Sequence, residues 1–444
     1  MKSEIKNMTE GKPLKLIALF AIPMLVGNLF QQIYNIADSI IVGKMLGKDA
    51  LAAVGATGNI TFLFFALCNG IGSGGGIVMS QYFGRREDDN VKTCILNTAY
   101  IMFIFPLIVG IIAFFCSTPL LLLLKTPEDI MAQSVLYLRT MCVGIVFVSM
   151  YNFVSSTLRA LGDSKTPLYF LIISSIINIG LDIWFVKLGF GVFGAGLATV
   201  IAQALSGFGC IIYALKRNSY FIFERKHYAI NTHIIKQTIR LGVPLSLQFA
   251  MISISCMALQ RVINSFGAVA VAANTAVVRI ETVIHQPYQT MGATLSTFTG
   301  QNYGAKKFDR VKKGYIQGAV IVLVFSLIML PIMQFFGSNI ISIFVSEPEV
   351  IEMGARAIKI SSLFYVFLAT IYVTRGVLGG LGDAFFSLIN GIVEVIGRFT
   401  VPFWLTAIPS IGIWGIWWSV GIVWSLAGIT ALMRYFQYKK RVMK

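Results

Sequence analysis

The chain has 444 residues, of which 56% are hydrophobic and only 12% charged, and its formal net charge is +17. That make-up excludes a soluble globular domain and marks an integral membrane protein. Nucleic-acid binding does not follow from the positive charge, because the bases are sorted by loop rather than gathered into one binding segment.

Apolar runs long enough to cross a hydrocarbon core of about 30 Å recur along the chain. They predict twelve helices, over residues 14–43, 56–79, 95–118, 135–157, 166–186, 193–215, 243–266, 270–298, 315–336, 357–378, 385–407 and 411–433. Strands are excluded by the length of the runs and by the lack of period-two alternation. The first run is too long for a cleaved leader and no small-residue cleavage site follows it, so it is expected to stay as the first span.

That first span ends in QQIYNIADSIIVGKMLG, with Asp38 inside it. A carboxylate within a span costs a few kcal/mol and needs a partner, a water-filled cavity or a function. Asp38 lies about 8 Å of helix from the outer end, at about 1.5 Å per residue. Gln31, Tyr34, Asn35 and Asp38 recur at three- and four-residue steps and form one polar stripe. In the second span Gly70, Gly72 and Gly75 satisfy GxGxxG with no strand before them. Close helix packing through Gly70/Gly74 and Gly72/Gly76 is expected there, not a dinucleotide site.

The fourth span carries Tyr137 and Asn152, and the GDSKT that follows lacks the loop of a P-loop. Ser174, Asn178 and Asp182 stand one turn apart in the fifth span, and Thr199 lies in the sixth. Two carboxylates among neutral oxygen and amide groups either share a proton or hold a bare sodium ion, which Asp38, Asn178 and Asp182 would ligate. The residues leave that choice open, as they do a purely structural role for both acids.

Residues 216–240 are basic and read as a linker between lobes 1–215 and 241–444. The eighth span holds Glu281 and His285 at i and i+4, beside Arg279, as a second-lobe proton or cation site or an internal salt bridge. Glu394 and Arg398 in the eleventh have the same spacing and are expected to form a structural ion pair. Pro23, Pro287, Pro331 and Pro402 mark hinges or static kinks. The six cysteines show no disulfide or zinc spacing, and the three histidines make no HExxH, so no cofactor and no catalytic constellation is expected. Lys2, Arg85, Arg86, Arg225, Lys306, Lys307 and Lys439 fall at the termini or in even-to-odd loops. Both termini are therefore expected in the cytoplasm.

The chain is also written twice. QYFGRREDDNVK (81–92) realigns with QNYGAKKFDRVK (301–312), GKDALAA (47–53) with GAVAVAA (267–273), and LGD recurs at 161–163 and 381–383. Pro23 falls opposite Pro244. A repeat of six spans keeps its orientation, so the expectation is an all-α membrane protein of two six-helix lobes related by pseudo-two-fold symmetry about the membrane normal, with a cleft between them.

PMLVGNLFQQIYNIADSIIVGKMLGKDALAAVG, QYFGRRE, LRALGD, GAGLAT and QNYGAKK together resemble the multidrug and toxic compound extrusion (MATE) family over nearly the whole chain. The resemblance implies a monomeric inner-membrane antiporter that exports organic cations and amphipathic drugs, driven by protons or sodium ions, with membrane lipids and small molecules as its only partners. The abundant Phe, Met and Tyr suit an adaptable apolar cleft. In the branch named for DNA-damage-inducible protein F, an aspartate follows a proline by fifteen residues, the spacing of Pro23 and Asp38 here. The same matching assigns Tyr34, Tyr137, Asn152, Asn178, Asp182 and Thr199 to the N-lobe cation or proton network, and puts Glu281 where some relatives carry an eighth-helix acid. The seventh span has no acid, so the coupling scheme of the norfloxacin-exporting branch does not transfer. A flippase for lipid-linked oligosaccharide is the alternative, with Arg139, Arg261 and Arg398 as its cavity arginines; a membrane-embedded enzyme is a third reading without catalytic residues to support it.

Overall fold

The computed structural model describes residues 5–442, so Lys2 lies outside the described residues. Thirteen α-helices account for most of them: α1 (Pro13–Leu46), α2 (Lys48–Gly84), α3 (Asp88–Leu123), α4 (Glu128–Ala160), α5 (Lys165–Lys187), α6 (Gly191–Arg217), α7 (Thr232–Asn264), α8 (Ala268–Gly304), α9 (Phe308–Ile341), α10 (Pro348–Ser362), α11 (Tyr365–Gly380), α12 (Ala384–Thr406) and α13 (Gly415–Val442). No strand occurs among the described residues. Eleven helical segments are long and apolar enough to cross a membrane, and α10 with α11, bent by 52° at a short break, bring the count to twelve when the pair is taken as one broken span. Several helices overrun the predicted spans, as α3 does by starting at Asp88 rather than 95. Hydropathy reports only the part of a helix that lies in hydrocarbon, whereas backbone hydrogen bonding continues into the polar turns beyond it.

The ends of the helices follow their charges. Asp88 and Asp89 sit in the first turn of α3 and Glu128 and Asp129 in that of α4, while Lys216 and Arg217 close α6 and Lys439, Lys440 and Arg441 close α13. Each complements the partial charge of the helix end it occupies. Pro23, Pro287, Pro331 and Pro402 all lie inside continuous helices. The one broken span, at Leu363 and Phe364, contains no proline at its break.

The sequence repeat is also a backbone repeat. Gly47 and Gly267, which precede α2 and α8, have φ of 90° and 89°, and Arg86 and Lys306 in the paired turns have φ of 61° and 57°. Gly162 and Gly382 match in the same way at 86° and 91°. The two helix starts need a backbone that only glycine adopts readily, which explains why Gly47 recurs as Gly267 while its neighbours differ.

Two compact units result, one of Met1–Met8 with Leu19–Ser246 and the other of Thr9–Ala18 with Leu247–Lys444. Both α1 and α7 cross from one unit to the other. In the first, α2 packs on α3, α4 and the start of α7 through its glycines. A Cβ on Gly70 would overlap the backbone of Ser246, and one on Gly74 would come within 2.5 Å of Gly242 N. Gly72 faces Met102 and Gly76 faces Ser156, so the glycine run is the helix-packing device its spacing implied. The segment 216–240 belongs to this unit and is folded, with 3₁₀ turns at Ser219–Phe221 and Arg225–Tyr228. In the second unit α8 and α11 approach at backbone distance, Gly292 lying against Tyr372 O and Gly380 against Ser296 O. Lys307 and Arg310 hold the start of the chain there by donating to Thr9 O (2.9 Å) and Gly11 O (2.7 Å). Side chains such as Phe103, Ile104, Ile111 and Phe115 on α3 and Ile316, Leu327 and Phe335 on α9 are exposed, as lipid-facing surface requires.

Candidate functional site

The end of α1 and the first turns of α2, α4 and α6 meet in an apolar cluster of Val42, Ala50, Tyr137, Met141, Val192 and Ala195. This packing fixes Tyr137 and brings the last turns of α1 beside α4 and α6. There the carboxyl groups of Asp38, on α1, and Asp182, on α5, lie against each other within hydrogen-bonding reach. Asp182 is fully buried. Neither of its oxygens, nor Asp38 Oδ1, receives a hydrogen bond from a surrounding donor.

The neighbours are neutral. Tyr34, one turn from Asp38, lies beside Gln31 and Gln203 and faces both acids, and Tyr137 stands close to both acids and to Tyr34. Asn178, one turn below Asp182, donates through Nδ2 to Thr199 Oγ1 at 3.4 Å, and Thr199 donates in turn to Ala195 O at 3.2 Å. That arrangement turns one amide hydrogen of Asn178 to Thr199, and Asn178 Oδ1 is left without a donor, like Gln203 Oε1. A crevice too narrow to hold a water molecule runs between Tyr34, Ser174, Ser175, Asn178, Thr199 and Gln203. Asn152, also expected here, is fifteen residues from Tyr137 on α4, about 22 Å of helix at about 1.5 Å per residue, and it makes no hydrogen bond to this group. Asn35, from the same stripe as Asp38, is exposed.

Five buried acceptor oxygens on these residues therefore lack donors: Asp38 Oδ1, both oxygens of Asp182, Asn178 Oδ1 and Gln203 Oε1. An acceptor buried without a donor is costly, and two carboxylates side by side cost more through like-charge repulsion. A proton shared between the acids, or a small hard cation among the oxygens, removes both penalties. Among the described residues no cluster of three or more His, Cys, Asp and Glu is placed to hold a metal, so the oxygen donors here number only two carboxylates with neutral amides and hydroxyls. Two carboxylates carry two negative charges, so a monovalent ion balances the pair when one of them keeps a proton.

The second unit carries a different constellation. Glu394 on α12 is clamped between two arginines: Arg375 of α11, in direct contact, and Arg398 NH2 at 3.6 Å from Oε2. Arg375 also donates from Nε to Asn390 Oδ1 (2.6 Å), and Arg398 NH1 donates to Ser255 Oγ (3.1 Å). The expected Glu394–Arg398 pair is thus present, with Arg375 as an additional partner that the i and i+4 spacing could not disclose. Glu281 lies beside Ser361 and Arg398, with Oε1 free of a donor, and the His285 ring packs edge-on against Trp424 at 5.6 Å. Arg279 is exposed and is not brought to Glu281; residues two apart on a helix point to different faces.

Gln203 was missed from the sequence because an amide in an apolar helix is usually only interhelical glue. Its signal was the four-residue step from Thr199. Arg375 lay in a span with no acid at helical spacing, so only the fold could reveal its partner.

The profile of the MatE family matches residues 23–184 and 244–404. The chain belongs to that family. The two matched stretches are the two copies of the repeat, and the chain is a multi-pass membrane transporter of MATE type. It is similar to the probable multidrug resistance proteins YoeA (27% identical, covering 96% of this chain and 95% of the relative) and YpnP (28%, 99% and 98%) of Bacillus subtilis strain 168. The fold matches that of a MOP superfamily transporter from Pyrococcus furiosus, with a TM-score of 0.94, 24% identity and full coverage of both chains. It also matches a MATE solved in a straight conformation, with a TM-score of 0.89, 25% identity and coverage of 99% of this chain and all of that one.

Proposed function

We propose that the protein is a cation-coupled antiporter of the cytoplasmic membrane, with both termini in the cytoplasm, that exports organic cations and other amphipathic compounds in exchange for protons or sodium ions. One observation carries the reading: Asp38 and Asp182 face one another in a buried site whose acceptor oxygens have no donors. Such a site is at rest only when it holds a positive ion, so emptying and refilling it is a chemical cycle that a membrane potential can drive. Each elementary charge moved is worth about 2.3 kcal/mol per 100 mV. Asn178 and Gln203 supply neutral oxygens, Thr199 orients Asn178, and Tyr34 and Tyr137 wall the acids off. The relatives named for multidrug resistance support the cargo class. Flippase activity is disfavoured because two of the three arginines it would use have other roles: Arg398 pairs with Glu394, and Arg139 lies 5.0 Å over the Phe114 ring.

The test is ethidium efflux and drug resistance of cells expressing wild type, Asp38→Asn or Asp182→Asn at equal membrane levels. Loss of efflux in both variants is expected; undiminished efflux would remove the acids from the mechanism.

A further inference from the structure

The segment 218–231 is strapped to the start of α3. Tyr220 OH donates to Asp88 (2.7 Å), Lys226 to Asp89 (2.9 Å), Asn97 to Ala229 O (3.1 Å) and Tyr100 OH to Tyr228 O (3.2 Å), while Asn231 N–H donates to Asn97 (2.9 Å). His227 is buried beneath it; its Nδ1 accepts from Glu224 N–H at 2.8 Å, which leaves Nε2–H to donate to Asp89 at 3.0 Å.

Despite these polar anchors, the strap presents apolar side chains outward. Ile230 is 72% exposed, Ile222 63% and Tyr228 54%. Large apolar groups on a segment outside the spans are unfavourable in water and favourable at a membrane surface. Tyr228, Ile230 and Ile235 form one wall of an apolar groove of about 750 Å³ whose other wall is Tyr100, Phe103 and Ile104 of α3. The groove continues directly into the exposed apolar stripe of α3, through Ile108, Ile111 and Phe115, which is lipid-facing surface. Tyr100 and Tyr228 at its mouth are residue types that settle at the headgroup level.

Exposed bases also stand next to the groove's lining residues in sequence. Lys226 is spent on Asp89 and Glu224, but Arg225, three residues before Tyr228, and Lys236, next to Ile235, are exposed and have no ion pair among the described residues. The nearby acids Asp88 and Asp89 are held by Tyr220, Lys226 and His227. We propose that this groove binds one acyl chain of an anionic membrane phospholipid, whose headgroup is met by Arg225 and Lys236, and that the bound lipid pins the strap to α3. The continuity with the lipid face selects a membrane lipid as occupant, and the two unpaired bases select an anionic one.

The experiment is native mass spectrometry of the purified full chain in detergent, titrated with palmitoyl-oleoyl phosphatidylglycerol or with the zwitterionic phosphatidylcholine of the same chains. Each base near an anionic headgroup contributes about fivefold, so both together predict a preference of roughly 25-fold for phosphatidylglycerol. Arg225→Ala/Lys236→Ala should erase the preference while leaving weak binding of both lipids. Ile104→Trp, at an exposed position inside the groove, should lose the retained lipid of either kind; should that variant not fold, Ile230→Ser, which opens the other wall, replaces it. Equal retention of the two lipids by wild type, an unchanged preference in the double variant, or undiminished retention by the groove variant would each overturn the proposal.

Discussion

Buried charge is handled in two ways in this molecule. In the second unit, Glu394 has its counter-charges built in: Arg375 and Arg398 reach it from two helices, and Asn390 and Ser255 take up spare arginine donors. In the first, Asp38 and Asp182 have only each other and neutral groups. A carboxylate with protein-supplied cations is permanently compensated and gains nothing by exchanging ions. A carboxylate pair without them is incomplete until an ion arrives, and the ion can leave again. On this contrast rests the assignment of coupling to the first unit and of cohesion to the second.

Substitutions that neutralise one acid at a time should separate the two. Asp38→Asn or Asp182→Asn removes the group that carries the ion, so ethidium efflux should fall to the level of cells lacking the protein while the thermal midpoint of the purified variant holds or rises, since repulsion is relieved. Glu394→Gln should do the reverse. It strands two buried arginines, at a cost of about 3–5 kcal/mol, and should appear as a marked drop in the thermal midpoint. An efflux-dead but fully stable Glu394→Gln protein would break the comparison.

Asn178→Ala sharpens it. A hydrogen bond or ligand contact to a charged group is worth about 1.5–3 kcal/mol, so the half-saturating concentration of the driving ion should rise roughly tenfold or more, with maximal efflux retained. Glu281→Gln is a smaller perturbation, because Arg398 already neighbours Glu281; efflux should drop far less than for Asp38→Asn, and an equal loss would move part of the coupling into the second unit.

The smallest effect concerns the strap. Its bonds to Lys226 and His227 hold Asp89 below the usual carboxylate range. A carboxylate with a depressed folded value contributes above its unfolded pKa, about 3.9, and loses that contribution as pH falls below it. Hydrogen exchange of residues 218–231 should therefore be unchanged between pH 8 and 5 after correction for intrinsic rates and should accelerate only in more acidic buffer. Asp89→Asn should accelerate it at neutral pH and lose that effect in acid, where Asp89 is itself protonated.

Much of this was legible in the residues. Twelve apolar runs gave twelve spans because hydrocarbon thickness dictates helix length, and the paired turns at Arg86 and Lys306 were visible as a repeated motif before their matching φ values were known. The approach of Asp38 to Asp182 followed from two polar stripes at helical spacing, each with one acid and no base. The break between α10 and α11 was not legible, since Leu363 and Phe364 carry neither proline nor glycine to announce it. Nor was the fold of the strap, whose polar anchors on Asp88, Asp89 and Asn97 lie more than a hundred residues away in sequence. Partners across helices, such as Arg375 for Glu394, depend on crossing geometry that periodicity within one helix does not encode.

The central claim is best tested with purified protein in liposomes, by recording ethidium movement while a proton gradient or a sodium gradient is imposed alone. One of the two gradients should drive transport by wild type and neither should drive it in Asp38→Asn or Asp182→Asn. Equal accumulation against a concentration gradient with both ion gradients collapsed would contradict the account.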